Sequence, residues 1–223
     1  QEAEVVAAGL AYEGALGDRA LDAEVEAAAR AEAPPLVARR LEKLRLAMAP
    51  AQRPEALTER IVGLETELQG LYSGHRAVVD GRELTDNEVD AVLLTGTDVA
   101  EREAVWTAAR GVSAHVDAPL RELAGLRNEA ARALGARDHY ALALRAEEID
   151  EGWLLDLMDR LDERLAPAWA AERAAMDADI RSRLGLAADA PLAPWHYADR
   201  FFQEAPPLAH DPLLEQAEGI DQL

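Results

Sequence analysis

The chain of 223 residues is 49% hydrophobic but only 4% aromatic. Ala and Leu fill its apolar positions, a composition that predicts helices packed through small side chains rather than sheets rich in Val, Ile and Tyr. A formal net charge of −20 repels phosphate backbones and anionic lipid faces, which argues against nucleic acid and membrane partners; the absence of cysteine excludes disulfides and thiolate metal sites and is compatible with a cytoplasmic location.

No apolar run approaches the roughly 18 residues of a membrane helix. The expected fold is all-α, a multi-helix shell or bundle. Residues 1–16 read as an Ala-rich helix broken near Gly17, with Asp18 or Asp22 capping a second helix that stops before Pro34 and Pro35. Leu36, Val37, Leu41, Leu44 and Met48 share a face. After Pro50 and Pro54, Leu57, Ile61, Leu64, Leu68 and Leu71 recur at spacings of four and three, a heptad seam. The short connection predicts that helices 36–49 and 55–72 form an antiparallel hairpin. A seam of this length is either internal packing or a coiled-coil partner site, and internal packing is the plainer reading.

Residues 76–84 (RAVVDGREL) are a tight hairpin about Asp80-Gly81 or a loop. Thr85 with Glu88 and Asp98 with Glu101 spell capping boxes for two helices. Val105, Ala109, Val112 and Val116 mark an apolar face with Trp106 beside it. Pro119 is expected to kink or break the helix before Leu120, Leu123, Ala130 and Leu134 continue to a stop at Gly135. Asp138 caps a short helix to Arg145. Asp150 caps the longest one, to Leu184, lined by Trp153, Leu157, Leu161 and Leu165, then by Trp169, Arg173, Met176, Ile180 and Leu184, with a kink expected at Pro167. A loop, a proline-bounded aromatic segment from Pro194 to Pro206, and a short helix from Asp211 complete the chain.

Chemistry is sparse. None of His75, His115, His139, His196 and His210 has a second ligand at the helical i+4 spacing, and HExxH, the motif that places two imidazoles and a general base on one helix face, is absent. No Gly-rich phosphate loop, no GxSxG and no Ser–His–Asp ordering occurs. No catalytic residue is assigned. His196, Asp199 and Glu204 form the densest polar cluster and are the metal-ligand candidates, against the plainer reading that His196 satisfies backbone groups while its aromatic neighbours pack. Arg127 and Asn128, on an otherwise apolar helix, need partners if buried; an interhelical hydrogen-bond network is the simpler role, a ligand contact the other.

At LRNEAARALGARDHYALAL (residues 126–144), followed by the Trp-containing helix from Asp150 and by PWHYADRFFQEAP (Pro194–Pro206), the chain resembles the amino-terminal half of bacterial zinc metallopeptidases, the angiotensin-converting-enzyme-like and oligopeptidase families. The resemblance implies an all-helical shell around a deep channel, with residues 1–95 as a lid-like hairpin region and 96–223 as channel wall. It implies a hydrolase for short peptides whose zinc sits in a carboxy-terminal catalytic half, so that this chain alone holds no zinc and is inactive. It assigns no substrate-binding residue. A half-shell of this kind is expected to expose apolar faces through which it self-associates. The alternative is a noncatalytic acidic helical interaction module in which the seam from Leu57 to Leu71 is shared between chains.

Overall fold

The structure, a computed structural model, describes residues 2–203. The expected helix from Asp211, like His210 and Glu204, lies outside the described residues. The elements in chain order are α1 (Glu2–Leu16), α2 (Arg19–Arg30), α3 (Pro35–Met48), a 3-10 turn (Ala49–Gln52), α4 (Glu55–Gly74), β1 (Ala77–Val79), β2 (Arg82–Leu84), α5 (Asp86–Thr95), α6 (Val99–Arg110), α7 (Ser113–Ala133), α8 (His139–Ala146), α9 (Glu151–Arg183) and a second 3-10 turn (Pro194–His196). The fold is all-α, and the one small sheet among the described residues pairs Ala77 with Leu84, Val78 with Glu83 and Val79 with Arg82. Asp80 and Gly81 at φ 51° and 78° make the turn, the positive-φ pair that matches the twist of a two-residue hairpin. None of the helices among the described residues is long and apolar enough to cross a membrane.

Short polar side chains start the helices by accepting backbone donors that have no partner within the first turn. Asp18 accepts from the Ala20 and Leu21 amides at 2.8 and 3.1 Å, and Asp98 from Ala100 and Glu101 at 2.9 and 3.2 Å. Asp138 accepts from Ala141 at 2.8 Å and Asp150 from Trp153 at 2.7 Å. Thr85 and Glu88 close a reciprocal box, each side chain taking the other's backbone N–H, at 3.3 and 2.8 Å.

The chain divides into two compact units, each discontinuous in sequence: residues 1–74 with 113–163, and residues 75–112 with 164 onward. In the first, α4 packs on α7 and α1, while α3 packs on α2. The predicted α3–α4 hairpin is therefore not the pairing formed. The seam residues Ile61 and Leu64 bury against Leu123 and Ala130 of α7, with Leu57, Leu68 and Leu126 around them. A heptad seam states that a helix has a partner, not which one, and the 3-10 turn between α3 and α4 releases them to separate partners. On the α1 side the backbones approach closely: a Cβ at Gly9 would lie 3.0 Å from Val62 Cγ1. Helix α7 also runs unbroken through Pro119, because packing against α4 outweighs the local cost of one missing N–H.

In the second unit the hairpin, α5 and α6 share a core of Ala77, Leu84, Val89, Leu93 and Val105, with Val79, Val92 and Trp106 packed against it. Ile180 and Leu184, at the end of α9, are buried. Helix α9 is one 33-residue element that continues through Pro167. Its first half differs from expectation: Trp153, Leu161 and Leu165, read as an inward face, are exposed, as are Leu155 and Met158.

Candidate functional site

A cleft of about 570 Å³ lies in the second unit between the last turns of α9 and the segment that follows. That volume falls within the usual range for small-molecule and peptide-side-chain sites. Trp169, Glu172, Arg173, Met176 and Asp177 form one wall; their spacing of 3, 4, 7 and 8 places them on a single helical face. Leu192, Pro194, Tyr197, Ala198, Asp199, Phe202 and Gln203 form the other.

The second wall has little secondary structure of its own, and a buried arginine holds it in place. Arg102, on α6, is fully buried. Its Nε donates to the Trp195 carbonyl at 2.8 Å, and its Nη2 to the His196 and Tyr197 carbonyls at 3.1 Å each. Nη1 meets the end of α5, donating to Val92, Leu93 and Gly96 carbonyls at 3.3, 2.6 and 2.9 Å. One guanidinium thus occupies six carbonyls, joining the C-terminal end of α5 to the loop. Burial, and secondarily the charge of Arg183, bring its pKa down to about 10, so it remains a cation at neutral pH. Carbonyl dipoles at a helix C-terminus suit such a cation.

Further bonds fix the same wall. The Arg181 Nε donates to the Ala190 carbonyl at 2.9 Å. Arg110 donates to the Arg200 carbonyl at 2.7 Å, and the Arg200 guanidinium pairs with Asp86 and Asp90 at 2.9 and 3.1 Å. The Trp195 ring packs on Trp106 with centroids 5.9 Å apart. At the rim, Asp199 accepts from the Phe201 amide at 2.9 Å and from the Gln203 amide. This turn holds Phe202 at φ 58°, a left-handed conformation that costs a bulky L-residue roughly 1–2 kcal/mol. The Phe202 ring meets Tyr197 edge-on at 5.4 Å. The Tyr197 hydroxyl donates to Asp177 Oδ1 at 3.2 Å, and burial followed by the Asp177 charge pushes its pKa up.

Of the three metal-ligand candidates, His196 and Asp199 lie among the described residues. His196 is buried, and its Nδ1 accepts the Ala193 amide at 2.9 Å, which fixes it as a neutral ring closing the 3-10 turn. Burial, then Arg102, lowers its pKa. Asp199 is committed to its own turn and Glu204 is outside the described residues. Among the described residues no three His, Asp or Glu side chains are grouped so as to hold a metal ion. Arg127 and Asn128 fill the interhelical role, Arg127 pairing with Glu65 of α4 at 2.7 Å and Asn128 accepting the His139 amide at 3.0 Å.

Sequence reasoning placed Trp169, Arg173 and Met176 on one face of α9 and noted the aromatic cluster that opposes them, but missed Arg102. Its signal was a charged residue three positions before Val105, in register with the apolar face of α6. Comparison with family models, curated proteins and solved structures finds no match to this chain.

Proposed function

We propose that this chain is a helical wall and lid portion of a zinc-dependent peptidase acting on short peptides, noncatalytic by itself, with the zinc ligands and the water-activating carboxylate supplied by a catalytic half that bears HExxH. The observation that carries the reading is that the two walls of the cleft are two of the stretches on which the metallopeptidase resemblance rests, the Trp-containing helix after Asp150 and the PWHYADRFF segment. The role is substrate admission and positioning. An aromatic-lined cleft with a few polar groups holds a peptide and excludes water around it, as walls and lids of enclosed active sites do. A cytoplasmic location belongs to the same proposal, and fractionation of the source cells tests it.

The test is cleavage of an internally quenched short peptide by this chain alone and by the chain joined to its HExxH-bearing partner or continuation. Chelator-sensitive hydrolysis is expected only from the joined form. Metal-dependent hydrolysis by the isolated chain overturns the proposal.

A second reading, an acidic interaction module that associates through apolar faces, is favoured by one observation, the exposed Leu155, Met158, Leu161 and Leu165 on α9. Exposed apolar side chains grouped in this way usually mark contact surfaces. The heptad seam of α4 is not available for it, since Ile61 and Leu64 are already buried within the first unit. Light scattering decides: a stable dimer lost on Leu161→Ser with Leu165→Ser supports this reading, and a monomer across the micromolar range removes it.

A further inference from the structure

The cleft has a sign as well as a shape. Its ionisable lining comprises the carboxylates Glu172, Asp177 and Asp199 and the cation Arg173, together with the Tyr197 phenol. Asp199 is bound to the Phe201 and Gln203 amides, and Asp177 meets the Tyr197 hydroxyl through one oxygen. The net charge of the lining is negative. The apolar part consists of Trp169, Tyr197, Phe202, Met176, Leu192 and Pro194. Trp169 and Phe202 are both about half exposed, at 54% and 53%, on opposite walls. Ring faces backed by carboxylates attract cations, and rings flanking an open slot take another ring or a flat apolar side chain.

Backbone strain sharpens the assignment. Phe202 is held in the left-handed region by the Asp199 turn with its ring set edge-on to Tyr197. Strain of this kind persists where the surroundings over-determine it, and it collects at ligand clamps.

We propose that this cleft is a subsite for a short peptide that presents an aromatic side chain next to a cationic group, either a Lys or Arg side chain or a free amino terminus. The ring enters between Trp169 and Phe202, and the cation meets Glu172 and Asp177. The proposal rests on the peptide reading above and narrows it to one substrate class. Anionic peptides are rejected by the same carboxylates, which would face an unpaired like charge.

The test is direct binding to the full 223-residue chain, by calorimetry at low salt, of three blocked dipeptides: lysine–phenylalanine, glutamate–phenylalanine and lysine–alanine. The first is expected to bind, and the other two at least about tenfold more weakly, from loss of the charge and ring contacts respectively. Glu172→Gln, at an exposed position, should weaken the first peptide about two- to fivefold, the range for a partly exposed ion pair. Trp169→Ala should weaken it about tenfold while leaving circular dichroism unchanged. Equal binding of the lysine and glutamate peptides, absence of binding at millimolar peptide, or wild-type binding by folded Trp169→Ala protein overturns the proposal. The two readings fail separately. Selective binding without hydrolysis by the joined enzyme removes the peptidase reading and leaves the subsite, whereas hydrolysis with a KM indifferent to Trp169→Ala and Glu172→Gln removes the subsite alone.

Discussion

Arg102→Met tests how the cleft wall is held. The substitution keeps a long side chain and much of the volume but removes every donor. It strands five carbonyl oxygens, since that of Val92 keeps the Gly96 amide at 2.9 Å, and of the five those of Leu93 and His196 lie in fully buried bonds. A buried carbonyl left unpaired costs about 1–3 kcal/mol, and the three at the margin cost less because water can reach them. Against this, a desolvated cation is removed, and its lowered pKa shows that burial penalises the charged form; part of the loss is therefore offset. The net expectation is a destabilisation of about 3 kcal/mol, at the large end for single substitutions. The loss should be concentrated in the second unit. Urea unfolding followed by tryptophan fluorescence, with amide exchange of Ala193, His196 and Tyr197, measures both. Arg102→Lys should recover only part, because an ammonium has three donors for six carbonyls and no planar fork. A cost below about 1 kcal/mol with unchanged exchange across residues 193–197 refutes the reasoning, since it falls short even of one stranded buried carbonyl.

Three further outcomes are expected. His196, whose pKa burial lowers, contributes stability that is present above its ordinary pKa of 6.5 and is lost as the pH falls below it, because protonation removes the Nδ1 lone pair that holds the Ala193 amide; a His196 nitrogen resonance that titrates at or above 6.5 contradicts this. Glu148, bonded first by Arg39 and then by Lys43, has its pKa pulled down to about 2. Its contact with α3, made from the turn after α8, is thus complete above the unfolded carboxylate value of 4.5 and lost as the pH falls toward 2, and Arg39→Ala should return the Glu148 carboxyl resonance to a midpoint near the ordinary range, with the shift reduced by salt. Leu64→Ala, in the buried contact between α4 and α7, should cost about 2–5 kcal/mol in urea unfolding, whereas Leu165→Ala on the exposed part of α9 should stay within about 0.5 kcal/mol.

What the sequence revealed was local. Thr85, Asp98, Asp138 and Asp150 could be read as helix starts because capping is a contact between neighbours in the chain, and Asp80-Gly81 as a turn because it needs two positive φ values. Partner choice could not be read: the seam from Leu57 to Leu71 pointed to a neighbouring helix, and the neighbour it found is α7, some 60 residues away, because many Ala- and Leu-lined helices offer equivalent faces. The same ambiguity made Trp153 and Leu161 look buried, since an apolar face has the same spacing whether or not anything covers it. At Pro119, where a kink or a break was expected, the helix does not break, since propagation on both sides carries the chain across one missing donor. For the candidate site, the helical wall was legible from its 3–4 spacing. The loop wall was not, because its position depends on Arg102, more than 90 residues earlier, donating to backbone carbonyls that carry no residue-specific signal.

The most direct test of the central claim is the zinc content of the native protein, isolated from its source with whatever chain continues or accompanies these residues and assayed at once on a quenched short peptide. The account predicts about one zinc for each copy of this chain, an HExxH in the joined or associated polypeptide, and hydrolysis that a chelator abolishes. A native protein with no HExxH-bearing segment, no zinc and no chelator-sensitive hydrolysis would contradict it and leave the interaction-module reading in its place.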